Sequence, residues 1–228
     1  MRSASLSLLT ILCLLLAVAP AVADTLYSNG PINGTTDAWT INMQDGYSFS
    51  VTDSFTCFFG CRVAGLHIGV WLLPGDTVTS VQMDIGTSSF GTDKFSGVLT
   101  AAGSTDLGIN QYGVDIQQID FEVFPYIDLV GADRYWLTLS NAVAPSGDTI
   151  YWDENSGPGC QSWGCPSTAY QTINGSIPSE AFTITGDRSY GYTPEPSSIH
   201  AVRIWPRRPR WHSAPEAEHL ILLRNNPY

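Results

Sequence analysis

The 228-residue sequence is poor in charged side chains, which make up only 14% of it. Coiled coils and helical bundles need Ala, Glu, Lys, Leu and Arg in bulk, so this composition excludes them. Hydrophobic residues reach 43%, which is enough to bury a core and excludes a chain that is disordered throughout. The length fits one domain, or at most two small ones.

Basic residues are scarce over most of the chain. Residues 24–187 contain three basic and eighteen acidic side chains, a net charge of −15, whereas residues 188–228 contain six Arg and three Glu. A domain this acidic repels phosphate backbones, which excludes nucleic acid as its partner. The basic end therefore differs sharply in charge from the domain that precedes it.

The first 23 residues predict secretion. Arg2 supplies a positive start, Ser7–Ala19 is a mostly apolar run, and the A-V-A stretch at 21–23 is a small-residue cleavage site before Asp24. The apolar run is short for a membrane span, so we interpret 1–23 as a signal peptide. The expected localisation is secreted, either extracellular or at the cell surface, in an oxidising compartment where disulfides form.

Four cysteines remain after the signal peptide, in two close pairs: Cys57 with Cys61, and Cys160 with Cys165. Three disulfide connectivities are possible. Two local loops are the simplest, because Gly60 and Gly164 give each loop a flexible turn. A closed zinc site made of four thiolates is the alternative. The residue spacings and the secreted context favour disulfides.

Short runs of alternating apolar and polar residues predict strands. The faces expected in the core are Leu66, Ile68, Val70 and Leu72; Val81, Met83 and Ile85; and Tyr135, Leu137 and Leu139. Gly- and Pro-containing turn signals separate these runs, and no segment has a convincing helical period. The prediction is an all-β fold, a single antiparallel β-sandwich or jelly-roll-like domain over residues 24–187.

In a further alternating run, over residues 114–123, the apolar residues switch from one face of the strand to the other. Its apolar residues fall into two sets, Val114 and Ile116 followed by Ile119, Phe121 and Val123. A β-bulge at Gln117-Gln118 would turn both sets toward the core, and we expect one there.

The segment Thr193-Pro194-Glu195-Pro196-Ser197-Ser198, placed behind a secreted β-rich domain, resembles the PEP-CTERM class of bacterial surface proteins. Gly69–Phe90, Tyr135–Gly157 and Ser176–Gly186 are similar to secreted domains that carry such tails. The resemblance implies that Pro194, Glu195 and Pro196 form a sorting motif. It further implies a transmembrane helix and an Arg-rich end after the motif, and sorting machinery of the exosortase type as a partner.

The end of the chain departs from this pattern. About twenty apolar residues should follow Ser198, but only Leu220–Leu223 is an apolar run, and three prolines (Pro206, Pro209, Pro215) exclude one long helix. Read one base later, codons for His200–His219 can encode an apolar, Gly-rich segment and a basic cluster. We hypothesise a frameshifted anchor, with 188–198 as linker and 199–228 as an aberrant basic tail, expected to be disordered and to provide no stable membrane anchor. A genuine disordered basic tail is the alternative.

A candidate glycan-binding site lies late in the domain. Its aromatic rings could stack on sugars and its polar groups could hold hydroxyls; the residues are Tyr151, Trp152, Asp153, Glu154, Asn155 and Trp163. The same oxygens would suit Ca²⁺. In the structural alternative Trp152 is a core residue, Trp163 covers a disulfide, and the polar residues cap a turn.

The sequence provides little support for catalysis. His67 is the only His of the domain, and no nucleophile-elbow motif accompanies it, so we expect an outward-facing or hydrogen-bonded strand residue. Adjacent strand residues such as Asp153 and Glu154 point to opposite faces, which disfavours a glycosidase pair. No catalytic residue, cofactor or metal is assigned.

The expected function combines these features. We expect a secreted, non-enzymatic surface or extracellular-matrix protein that resembles exosortase-sorted proteins and associates with exopolysaccharide. The alternative is a secreted carbohydrate-active enzyme that uses the Asp153/Glu154 region.

Overall fold

The computed structural model describes residues 23–130, 134–155 and 159–188. The signal-peptide residues 1–22, the Pro-Glu-Pro motif and the basic tail predicted above lie outside the described residues. Regular structure in the described part consists of fourteen strands without a helix, which confirms the predicted all-β class. Accordingly, none of the described residues forms a helix of the length and apolarity that crossing a membrane requires.

The strands have the following bounds: β1 Asp24–Ser28, β2 Ala38–Thr40, β3 Met43–Gln44, β4 Tyr47–Ser48, β5 Ser50–Thr56, β6 Cys61–Leu72, β7 Ser80–Gly86, β8 Phe95–Ile109, β9 Asp115–Leu129, β10 Arg134–Val143, β11 Tyr151–Asp153, β12 Ala169–Gln171, β13 Gly175–Ile177 and β14 Phe182–Asp187.

Ten of the strands form one antiparallel order, β1-β14-β6-β9-β8-β7-β10-β5-β12-β13, and β11 pairs with both β2 and β6. The long strand β8 joins the two halves of this sheet. Residues 95–100 of β8 pair with β7, and residues 101–109 pair with β9. The sheet therefore curls on itself and encloses a core between its halves, which is the predicted sandwich-like arrangement.

Aromatic rings from both halves meet in the core. Tyr27 of β1 lies 5.5 Å from Phe182 of β14 and 6.1 Å from Phe55 of β5, and Phe55 lies 5.8 Å from Tyr135 of β10. The three faces predicted to point inward are confirmed, since each of their ten residues is at most 1% exposed. Burial of such a side chain contributes about 1.5–3 kcal/mol, so the alternating runs supply the main force that closes the sandwich.

The predicted bulge at Gln117-Gln118 is wrong. The register between β6 and β9 runs unbroken through both residues, with Gln117 opposite Val70 and Gln118 opposite Gly69. Ile116 is instead buried on the outer face of the sheet, beneath Gly34. An outer face covered by another segment can bury an apolar residue, so the change of phase needs no extra residue in β9.

Candidate functional site

Two local disulfides lie beside each other at one end of the sandwich. Cys57–Cys61 links the end of β5 to the start of β6, and Cys160–Cys165 closes a loop between β11 and β12. The predicted local pairing is confirmed. Because all four sulfurs are bonded in pairs, the alternative of a four-thiolate zinc site is excluded.

The two disulfide-closed loops pack against one another. The rings of Phe58 and Trp163 lie 6.0 Å apart in an edge-on arrangement. The Thr56 hydroxyl donates a hydrogen bond to the Trp163 carbonyl. Gly164 has a φ of +87°, and a Cβ at this position would lie 2.6 Å from Thr56 Cγ2. Only glycine accommodates both the conformation and the close approach, so it holds the second loop against the first.

A cleft of about 930 Å³ opens between these loops, with exposed aromatic rings at its wall. Phe58, Phe59 and Trp163 are 38%, 91% and 77% exposed. Gln161 and Arg188 add polar groups to the lining, and Ser162 Oγ accepts a hydrogen bond of 2.8 Å from the Ser28 amide. Apolar rings clustered in a concave surface with a few polar groups are typical of ligand-binding grooves. We call this feature the aromatic cleft.

The sequence prediction missed Phe58 and Phe59. Both lie inside a loop that a disulfide closes over only four residues of separation. A loop so short cannot fold its own side chains beneath itself. Two large aromatic residues in such a loop were therefore the available signal for an exposed apolar surface.

Trp152, predicted to stack on a sugar, is fully buried. Its ring lies 5.7 Å from Phe182, and its Nε1 donates a 3.0 Å hydrogen bond to the Ala181 carbonyl. Stacking on a ligand requires an accessible ring face, so Trp152 is corrected to a core residue. The structural alternative described above applies at this position.

Asp153 is also fully buried and serves as an acceptor within the fold. Its carboxylate accepts a 2.6 Å hydrogen bond from Trp71 Nε1 and hydrogen bonds of 3.0 and 3.1 Å from the backbone amides of Asn33 and Gly34. Burial raises the pKa of this carboxyl, and the hydrogen bond from Trp71 opposes that rise. Asp153 thereby fastens the segment before β2 to the outer face of β6.

Three more of the predicted residues, Tyr151, Glu154 and Asn155, make contacts within the fold. Glu154 Oε2 accepts a 3.4 Å hydrogen bond from Trp39, and the buried Asn155 backbone amide donates to the Ser179 carbonyl at 2.9 Å. Tyr151 is half-buried opposite Trp71 in the ladder. Residues 151–155 thus support the fold, and of the six predicted residues only Trp163 is largely exposed.

Two further carboxyls lie deep in the core. Asp53 and Glu180 are fully buried, and the Glu180 amide donates a 2.7 Å hydrogen bond to Asp53 Oδ2. Burial raises the pKa of Asp53 to about 7, and burial together with the charge of Asp53 raises the pKa of Glu180 well above its ordinary range. The described residues contain no group of three or more His, Cys, Asp or Glu side chains arranged to hold a metal ion.

His67 is hydrogen-bonded on its strand, as predicted. Its Nδ1 lies 2.6 Å from Asp120 Oδ1, and both side chains are 34% exposed. It occupies the outer face of β6, opposite the apolar face that begins with Leu66.

Comparisons of the chain with protein-family models, with curated proteins and with solved structures find no match.

Proposed function

We propose that this is a secreted, non-enzymatic protein of the cell surface or extracellular matrix whose aromatic cleft binds neutral polysaccharide. The observation that carries the proposal is the group of three exposed rings, Phe58, Phe59 and Trp163, on two adjoining disulfide loops. The carbon-bound hydrogens of a sugar ring give it an apolar face that packs on an aromatic ring, and its hydroxyls need polar partners at the rim.

The construction of the cleft favours binding. Each loop is closed by a disulfide, and contacts of Thr56 and Phe58 with the second loop join the two. A surface ordered before the ligand arrives loses less conformational entropy on binding. The rings are therefore positioned in advance.

The charge of the domain selects the class of polymer. A net charge of −15 over residues 24–187 repels uronate- or sulfate-bearing chains. A neutral polysaccharide avoids this repulsion, and aromatic stacking does not require charge.

Sorting by exosortase-type machinery is the second part of the proposal. It is supported by the resemblance of the Pro194-Glu195-Pro196 segment to a sorting motif, together with the signal-peptide pattern at the other end of the chain. Sequencing the 3′ end of the gene from source DNA tests the anchor. One extra or missing base that restores an apolar helix and a basic end would support the frameshifted anchor, whereas an unchanged reading frame would contradict it.

Affinity electrophoresis of the disulfide-intact protein tests the binding function. We expect slower migration through gels that contain hydroxyethylcellulose, galactomannan or dextran, with Trp163→Ala or Phe59→Ala weakening the affinity about tenfold. Tyr47→Ala, which removes a 65% exposed ring outside the cleft, is the matched control and should bind normally.

Unchanged migration in all three polymers, or binding that survives Trp163→Ala, contradicts the proposed function. Release of reducing ends that is abolished by Glu154→Gln would instead support a carbohydrate-active enzyme that uses the Asp153/Glu154 region.

A further inference from the structure

Four polar side chains lie side by side on the outer face of the sheet. Ser28 of β1 is paired with Thr183 of β14, Thr183 with His67 of β6, and His67 with Asp120 of β9. Directly opposed residues of neighbouring strands project from the same face, with Cβ atoms about 4.5–5.5 Å apart. The four residues therefore form one continuous row across four strands, which we call the polar row.

Hydrogen bonds within the polar row orient the imidazole. Asp120 Oδ1 lies 2.6 Å from His67 Nδ1 and also accepts a 2.8 Å hydrogen bond from Gln118 Nε2. A carboxylate at Nδ1 favours the tautomer with its proton on that nitrogen, which leaves Nε2 as an acceptor. Within the described part of the chain, Nε2 has no hydrogen-bond partner, and the side chain is 34% exposed.

Ser28, Thr183 and His67 of the polar row line a second cleft, which adjoins the aromatic cleft and which we call the His67 cleft. This second cleft has a volume of about 460 Å³, and its lining includes Ser28, His67, Gln118 and Thr183. Ser28 and Gly159 line both clefts. The two clefts therefore adjoin at these residues.

The polar row has binding groups but lacks the arrangement of a catalytic triad. A nucleophile must be hydrogen-bonded to the base. Here the Thr183 hydroxyl donates to Ser28 Oγ at 3.2 Å rather than to His67 Nε2. The hydroxyls of Ser28 and Thr183, the imidazole acceptor of His67 and the neighbouring amide of Gln118 match the alternating donors and acceptors of sugar hydroxyls.

We propose that the His67 cleft is a second subsite of the same glycan groove, so that the ligand is a neutral chain of several sugars and not a single sugar or disaccharide. The inference rests on the proposed function of the aromatic cleft. In this arrangement a sugar hydroxyl donates to His67 Nε2, while Thr183 and Gln118 contact neighbouring hydroxyls.

Isothermal titration calorimetry with short and long probes tests this subsite. The probes are cello-, manno- and isomalto-oligosaccharides of two and of six sugars. For a series that binds, we expect the hexasaccharide to bind the wild type at least tenfold more tightly than the disaccharide. His67→Asn keeps a donor toward Asp120 and removes the Nε2 acceptor, so it should weaken hexasaccharide binding about tenfold and leave disaccharide binding unchanged.

Two variants serve as references for His67→Asn. Trp163→Ala should weaken binding of both probe lengths, and Gln82→Ala, in the other half of the sheet, should affect neither. Melting temperatures of all variants check that the fold is retained. Equal affinities for the two lengths, or an equal effect of His67→Asn on both, overturns the second subsite and leaves the aromatic cleft intact as a binding site. Absence of binding in all three series overturns both proposals.

Discussion

Asp53 is an acid at a position that the strand pattern assigns to the core. It shares the inward face of β5 with Val51 and Phe55, and all three side chains are at most 2% exposed. Among the described residues, its Oδ1 and both carboxylate oxygens of Glu180 have no hydrogen-bond partner. An ionised carboxylate in such surroundings is unfavourable, so the protonated form of Asp53 is favoured in the native state.

Because Asp53 is buried, we expect the free energy of unfolding to fall as the pH rises. The native state of Asp53 binds its proton up to a pKa of about 7, whereas the ordinary pKa is 3.8, so the folded protein holds more protons between these values. The contribution is fully present below pH 4 and is lost as pH approaches 7 and beyond. For a rise of about three pKa units the loss is on the order of 4 kcal/mol.

Urea unfolding of the wild type and Asp53→Asn between pH 4 and 8 measures this effect. The substitution should reduce the fall of the unfolding free energy with pH, because asparagine stays neutral and can still accept a hydrogen bond from the Glu180 amide. Asp45→Asn, at an exposed turn, controls for the removal of one carboxyl. An equal slope in the wild type and Asp53→Asn would show that Asp53 does not cause the decline.

At the level of elements, the segment before β2 covers part of the outer face of the sheet. The amides of Asn33 and Gly34 donate to Asp153, and Gly34 lies on Ile116. Gly34 has a φ of +61°, and a Cβ there would lie 2.6 Å from Ile116 Cγ1. The contact requires a residue without a side chain.

Gly34→Ala should therefore be more destabilising than the same change at a free turn. The left-handed backbone costs about 1–2 kcal/mol for a residue with a Cβ, and overpacking against Ile116 adds about 1–3 kcal/mol. Gly113→Ala is the matched control, since Gly113 has a φ of +79° and nothing within 4 Å of the added Cβ. Chemical denaturation gives both free energies of unfolding. Equal losses for the two variants would contradict the packing of this segment on Ile116.

The strands themselves could largely be predicted, because alternation is a local property of the chain. β6, β7 and β10 turn their predicted faces inward. The bulge predicted at Gln117-Gln118 is wrong because burial of Ile116 depends on a segment that is distant in the sequence. The alternation of apolar and polar residues shows which face of the sheet a residue points to. It cannot show that Gly34, some eighty residues earlier, covers the outer face.

At the scale of the whole molecule, the two disulfides shape the aromatic cleft, and each is expected to stabilise the fold only modestly. Each bridge spans only four or five residues of sequence. Closing a loop this short stabilises the folded state by about 2 kcal/mol in the chain-entropy model. Cys57–Cys61 also links β5 in one half of the sheet to β6 in the other, and both of its cysteines are buried in the core.

Replacing Cys57 and Cys61 by Ala, which leaves no unpaired hydroxyl at these buried positions, should weaken binding more than it disturbs the fold. We expect a loss of about 2 kcal/mol in the free energy of unfolding, an unchanged far-ultraviolet circular dichroism spectrum, and at least tenfold weaker polysaccharide binding. Denaturation and affinity electrophoresis supply the measurements. Full binding by this variant would show that the disulfide does not organise the cleft.

The β class, the inward faces and the acidity of the domain could be predicted from the amino-acid sequence, and local pairing of the cysteines was the simplest of three connectivities. Each of these follows from composition, from close spacing along the chain or from a period of two residues. Three relations emerge from the folded chain alone. Trp152 is buried while Trp163 is exposed, the loops at 57–61 and 160–165 line one cleft, and His67 lies in a row with Ser28, Thr183 and Asp120. These relations depend on strand order and register, which join distant residues and which local alternation does not encode.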